Sequence, residues 1–478
     1  MEFEPVIGLE VHLQLATQTK MFCSCQVQFA ASANSLTCPV CLGLPGSLPV
    51  INSKAIEYAL KVALALNCSI GEIVKFDRKN YYYPDLPKNY QISQYDLPLS
   101  FNGFVDIKEK MQEKKIRIRR AHLEEDAGKL IHEETASLVD YNRTGVALLE
   151  IVTEPDISSP LEAYNYLNVL KTILKYLNVS DCDMEKGSLR CDANISLRPK
   201  GTTTLGVKAE LKNMNSFRAV KLALEVEIER QREILEAGKQ IVQETRLWDE
   251  DKKATFSMRS KEEASDYRYF PEPDLVPFKI DKAKIEEVRN NLPELPGKKF
   301  ERFKDQFNLS VPDAQFLVMD YDFSKFFEDC CRIASIPKAI VNWIKGPLSF
   351  EINARNKSLS ELELSPKDFV SLIELTEDGT LSNLSAKAVL TEMLDKRIGP
   401  EQIIKEDNLA QVSDNESLGA LIEEALTENK NSVDSYLAGK ENALMFLVGQ
   451  VMKKSKGKAN PKRVKELLEE KLKEKKNA

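Results

Sequence analysis

Alternating apolar and polar positions pick out five strands in the first part of the chain: VIGLEVHLQL (6–15), KKIRIRRAHLE (114–124), VALLEIVTE (146–154), LRCDANISLR (189–198) and GVKAELKNM (206–214). Helical periodicity predicts SKAIEYALKVALALN (53–67), SPLEAYNYLNVLKTILKYL (159–177) and SFRAVKLALEVEIERQREILEAG (216–238). Ser159 and Pro160 form a cap and first-turn pair, and Gly238 is a C-terminal stop. After LPELPG (292–297) the pattern becomes helical throughout, and a second soft break falls at 398–417. The expected class is α+β: a β-rich unit over 1–294, an all-α domain over 295–408 and a small helical tail over 409–478.

The strands also carry the first candidate chemistry. In 6–15, Ile7, Leu9, Val11 and Leu13 share one face, and Glu10 and His12 share the other, ~7 Å apart along the strand. Arg190, Asp192 and Asn194 share a face, as do Lys208, Glu210 and Lys212. Glu150 interrupts an apolar run, and Glu124 and Glu125 close their strand. If these faces line one concave sheet, they make an oxygen-rich site for a hard divalent cation, with Arg190, Lys208 and Lys79 near phosphate oxygens. An antiparallel sheet with one solvated face shows the same alternation without any function, so both readings stay open. Glu150 favours the first, because an unpaired acid is costly to bury in an apolar run.

Cysteine spacing adds a second site. Cys23 and Cys25, then Cys38 and Cys41, fit a tetrahedral zinc knuckle over 23–41, a closed and therefore structural site. The alternative is a set of buried thiols packed as small apolar groups. Nine cysteines, an odd number, in a chain of 478 residues fit reduced thiols better than a disulfide scaffold. RKNYYYPDLPKNYQISQYDLP (78–98) is an aromatic and basic loop, able to stack a nucleotide or an RNA end, or simply to pack into a groove.

Composition narrows the class. With 42% hydrophobic and 29% charged residues the chain is globular rather than disordered, and its net charge is −7. No run reaches the ~18–20 apolar residues of a membrane span, and the start MEFEPVIGLE does not resemble a secretory or transit segment, so a cytoplasmic location is expected. The acidic balance hides a basic end: residues 452–478 hold eleven Lys and Arg against four Glu, as expected of a nucleic-acid contact or a solvated tail. There is no P-loop, no G-x-G-x-x-G and no G-x-S-x-G, and KKSKG (453–457) by itself proves nothing.

CPVCLGLPGSLPV, RKNYYYPDLPKNYQISQYDLPL, HLEEDAGKLIH, DYNRTGVALLEIVTEPD, GSLRCDANISLRPKG, ELKNMNSFRA and DYRYFPEPDLVPF, in that order, closely resemble the B subunit of the tRNA-dependent Asp/Glu amidotransferases. The resemblance covers essentially the whole chain and is densest over 5–278. Two positions depart from the family pattern: Ala147 stands where proline is usual, and Ser265 where histidine is usual. The resemblance implies a β-rich cradle with a kinase site, a helical domain and a tRNA-binding tail. It implies an ATP-dependent carbon–nitrogen ligase that phosphorylates the side-chain carboxylate of Glu-tRNA(Gln) or Asp-tRNA(Asn). Ammonia from glutamine, released by an amidase A subunit and passed through a tunnel, then displaces the phosphate. A small C subunit completes a heterotrimer, and neither DNA nor a membrane is involved. The implied Mg²⁺ ligands are His12, Glu125 and Glu150. Glu10, Glu124, Asp192 and Glu210 are implied to bind a second ion or orient ATP, with Arg190 and Lys208 at the nucleotide and Lys79 near a phosphate or the tunnel exit. Zn²⁺ at Cys23, Cys25, Cys38 and Cys41 is implied to be structural. A non-catalytic tRNA-docking subunit is the competing reading.

Overall fold

The computed structural model describes residues 2–109, 112–260, 267–407, 415–437, 440, 442–455 and 461–477. Ser265 and part of KKSKG lie outside the described residues. Two compact units, Met1–Lys298 and Lys299–Ala478, divide the chain.

Fourteen strands are described in the first unit: β1 (Phe3–Gln14), β2 (Ser69–Ile70), β3 (Asp77–Asn80), β4 (Tyr90–Ser93), β5 (Ser100–Glu109), β6 (Gln112–Glu125), β7 (Lys129–His132), β8 (Ser137–Asp140), β9 (Ala147–Thr153), β10 (Leu189–Pro199), β11 (Ala209–Lys212), β12 (Glu244–Asp249), β13 (Ala254–Ser260) and β14 (Phe270–Pro271). Nine build one sheet in the order β13-β12-β11-β10-β1-β9-β6-β5-β2, antiparallel except at β11–β12. A small sheet β14-β3-β4 brings Phe270 and Pro271 alongside the tyrosine-rich loop.

The period-2 pattern sorts the sheet into two faces. Ile7, Leu9, Val11, Leu13, Leu149, Ile151, Cys191, Ala193 and Ile195 are buried on one face. They share a hydrophobic cluster with apolar residues of α1 (Ser53–Ala65), α2 (Pro160–Leu177) and α3 (Phe217–Glu236). Ser159 caps α2, its side chain accepting from Glu162 N, with Pro160 in the first turn. Gly238, at φ +70°, closes α3 in the left-handed region that favours glycine. The second face of the sheet carries the polar residues.

One buried ionic network ties α3 to the strands β12 and β13. Glu227 is fully buried and accepts from Arg230 Nε at 2.8 Å, Gln231 Nε2 at 2.9 Å and Thr255 Oγ1 at 3.1 Å, with Arg246 Nε at 3.4 Å. Glu227→Ala leaves Arg230 and Arg246 with Glu244 as their shared carboxylate and is expected to cost ~3 kcal/mol. A thermal melt should show it as a midpoint lowered by roughly 6–12 °C.

The second unit is helical, starting within α5 (Pro296–Phe307), which follows α4 (Lys282–Asn290). It holds two separate apolar clusters. One contains Phe303, Phe327, Trp343 and Phe369; the other contains Leu418, Ile422, Leu447, Val464, Leu468 and Leu472. The last three stand at i, i+4 and i+8 along Pro461–Asn477, leaving the lysines of that helix on other faces. Among the described residues, no helix is long and apolar enough to cross a membrane.

Candidate active site and metal centre

Strand register assembles the polar face. His12 of β1 lies opposite Glu150 of β9 on one side and Arg190 of β10 on the other. Glu150 in turn lies opposite His122 of β6, so His122, Glu150, His12 and Arg190 form one row across four strands. Glu10 faces Asp192 in the next row.

His12, Glu124 and Glu150 each offer one ligand atom, and the three atoms lie within 4.8 Å of one another. His12 Nδ1 is 3.6 Å from Glu124 Oε1. Ser93 Oγ donates to Glu124 Oε2 at 3.2 Å. Burial opposes charge on His12, but its hydrogen bond with Glu124 and the charges of Glu150, Glu124 and Asp192 outweigh it, so its pKa lies above the ordinary value. Burial also works against ionised Glu124, and His12 and Lys79 outweigh it, holding that carboxyl well below the usual range. For Glu150, burial and the Glu124 charge win over His12 and Lys79 and push the carboxyl up to about 7. Two carboxylates this close repel, and a divalent cation shared between them relieves the repulsion.

Glu125, expected beside His12 and Glu150, is not brought to them. Strand alternation sends it to the side opposite Glu124. There it accepts from Ile92 N at 2.8 Å and pairs with Lys88. Glu124, expected nearer the nucleotide, takes the place beside His12.

Lys79 of β3 is half-buried, its Nζ 4.9 Å from the Tyr267 ring centroid. Burial works against its charge, but Glu124, Tyr269 and Glu150 outweigh it and raise its pKa above the lysine norm. Tyr267 and Tyr269 meet edge to face at 6.0 Å, and Tyr95 stacks on Tyr269 at 4.3 Å. The aromatic loop and the Tyr267–Phe270 segment thus flank this cation together.

The remaining expected residues lie further along the same face. Asn194 Nδ2 donates to Glu10 Oε1 at 2.8 Å. Lys212 Nζ bridges Asp192 Oδ2 at 2.5 Å and Glu210 Oε1 at 3.2 Å, neutralising two acids expected at an ion. Arg190 Nη2 donates to Asp126 Oδ1 at 2.8 Å, while its buried Nε has no partner among the described residues. Lys208 lines a cleft of about 210 Å³ with Gly8, Glu10, Arg119, Val152, Leu205 and Gly206. A Cβ on Gly206 would lie 2.1 Å from the Leu197 carbonyl oxygen, so only glycine lets this segment lie down on β10. Sequence reasoning gave no role to His122, Ser93, Asp126 or Lys212. Arg120, His122 and Glu124 sit at i, i+2 and i+4 of one strand, and that spacing was the signal available for His122.

The sulfur atoms of Cys23, Cys25, Cys38 and Cys41 all lie within 4.8 Å of one another. A tetrahedral zinc–thiolate site, with Zn–S of ~2.3 Å, needs sulfurs ~3.8 Å apart, so the cluster fits with little movement. Cys38 N donates to Cys41 Sγ at 3.2 Å. The fully buried Lys20 places its Nζ 3.5 Å from the same sulfur and 3.3 Å from the Tyr141 carbonyl oxygen. The hydrogen bond with Cys23, against burial and with help from Cys38 N–H and the Lys20 charge, lowers the Cys41 pKa to about 4. A buried ammonium requires a counter-charge, and the Cys41 thiolate beside Lys20 supplies one.

Two family models match the chain: the GatB/GatE catalytic domain over residues 5–286 and the GatB domain over residues 325–472. The chain is similar along its length to curated proteins that are named as the B subunit of an aspartyl/glutamyl-tRNA(Asn/Gln) amidotransferase. That of Moorella thermoacetica is 54% identical over 476 residues, 99% of this chain and 100% of the relative. That of Carboxydothermus hydrogenoformans is 53% identical over 476 residues, 98% of this chain and 99% of the relative. That of Persephonella marina is 52% identical over 474 residues, 99% of this chain and 100% of the relative. The cradle of strands and the helical unit that follows it in the chain therefore belong to the GatB family, the B subunits of the tRNA-dependent amidotransferases.

Proposed function

We propose that this chain is the ATP-using subunit of a glutamine-dependent tRNA amidotransferase acting in the cytoplasm. The substrate is Glu-tRNA(Gln), Asp-tRNA(Asn) or both. The side-chain carboxylate attacks the γ-phosphorus of ATP, forming an acyl phosphate and releasing ADP. Ammonia from the glutaminase A subunit then attacks the acyl carbon, inorganic phosphate leaves, and the product is Gln-tRNA(Gln) or Asn-tRNA(Asn). A small C subunit completes the heterotrimer.

The observation that carries this reading is the meeting of His12, Glu124 and Glu150 around one point, with Lys79 beside them. His12, Glu124 and Glu150 would hold Mg²⁺. Both reactants are anionic, and the cation supplies the positive charge that brings carboxylate and triphosphate together. Lys79 adds a fixed positive charge beside the Tyr267 ring. Arg190, held by Asp126, offers its guanidinium charge to a phosphate oxygen, and Lys208 serves the cleft beside Glu10 in the same way. No protein nucleophile is needed, because the substrate carboxylate is the nucleophile. Zn²⁺ at the four cysteines holds the 23–41 segment. The tail from 409 to 478 binds tRNA through phosphates, so its affinity falls with salt.

Phosphate release from Mg-ATP tests the reading, measured on the heterotrimer without glutamine, with and without mischarged tRNA. Release that requires the mischarged tRNA is the expected result. Release that is absent or indifferent to that tRNA would leave a docking subunit.

A further inference from the structure

Two of the chain's three histidines flank Glu150. His12 stands opposite it on β1, and His122 stands opposite it on β6. His12 contributes to the ligand cluster, and His122 does not. His122 is 2% exposed, with Nε2 at 3.4 Å from Glu150 Oε2. Its Nδ1 is buried and has no hydrogen-bond partner among the described residues. With nothing for a δ proton to meet, the ring proton belongs on Nε2, facing the carboxylate. A phenylalanine or leucine would fill this space without leaving a ring nitrogen unsatisfied. The feature that an apolar residue cannot reproduce is the Nε2–H toward Glu150.

We propose that His122 is a positioning residue of the cation site: it donates Nε2–H to Glu150 Oε2 and leaves the other carboxylate oxygen for the metal. Outer partners of this kind orient a ligand and raise metal affinity without touching the metal. The inference rests on the cation reading given above.

The experiment titrates Mn²⁺ into the chelator-treated heterotrimer, followed by electron paramagnetic resonance, for the parent and for Glu150→Gln, His122→Phe, His122→Gln and His122→Asn. The glutamine amide reaches the position of Nε2, whereas that of asparagine reaches only the position of Nδ1. His122→Phe is expected to weaken Mn²⁺ binding ~10–100-fold, with His122→Asn similar and His122→Gln within ~3-fold of the parent. The inference is overturned if His122→Phe binds Mn²⁺ like the parent while Glu150→Gln does not. It is also overturned if Gln and Asn lose affinity equally and in step with a lowered melting temperature, which marks a packing role. If the parent and Glu150→Gln bind Mn²⁺ alike, the cation site itself lies elsewhere and the inference falls with it.

Discussion

Glu150→Gln lowers tRNA-dependent ATP turnover by ~10³-fold or more, the loss expected when a charge worth several kcal/mol to the transition state is removed. The substitution keeps the side-chain shape and an oxygen acceptor for His122. It removes only the negative charge that the proposed cation needs. The acid sits 8% exposed between two imidazoles and close to Glu124, so charge matters far more here than at a solvated position. Binding of mischarged tRNA should stay nearly unchanged. Stability separates lost chemistry from lost folding. Burial and Glu124 raise the folded-state carboxyl from 4.5 to about 7, so the folded chain binds this proton more tightly than the unfolded chain. In chelator-treated protein this group therefore favours folding at low pH, and its contribution is lost as pH rises from about 4.5 toward 7. Glu150→Gln removes that dependence and should melt no lower than the parent at neutral pH. A variant that melts normally and still turns over ATP would sink the active-site assignment.

Cys41→Ser has the second large effect, this time on the metal and on the segment it holds. The parent is expected to carry about one zinc per chain, and the variant less than ~0.1, by elemental analysis after gel filtration. Cys41 is the most buried of the four cysteines and the one that Lys20 approaches. Replacing its thiolate leaves the Lys20 ammonium buried against a neutral hydroxyl. The damage should reach the end of β6, the strand that carries Glu124. The turn after Cys41 presses Gly43 onto Lys88, where an added Cβ would lie 2.4 Å from Lys88 Cγ, and Lys88 pairs with Glu125 at the end of β6. Turnover should thus fall together with zinc content, and chelation of the parent should reproduce it. Parent protein that is fully active and free of zinc would remove the metal centre.

Much of this was legible from residue types and spacing. Period-2 alternation located β1, β6, β9 and β10 and placed Glu10, His12, Glu150, Asp192 and Arg190 on a polar face. The capped helices α2 and α3 and the four-cysteine spacing were equally plain, because caps, helical periods and knuckles are local signals. The short strands β3, β4 and β12 do not stand out by alternation, since their partners rather than their own patterns make them strands.

What the sequence by itself determined is the α+β class, the family, the two faces of the long strands and the roster of acids, imidazoles and thiols. Only the tertiary structure decided which of them meet. It chose Glu124 over Glu125 for the place beside His12 and Glu150, paired Glu125 with Lys88, and set Lys79, on a separate small sheet, within the field of Glu124 and Glu150. It set Lys212 between Asp192 and Glu210, and His122 behind Glu150. The physical reason is that a strand's alternation is set by its own backbone, whereas its neighbours, its register and the loops that fold over it are set by packing between residues far apart in the chain.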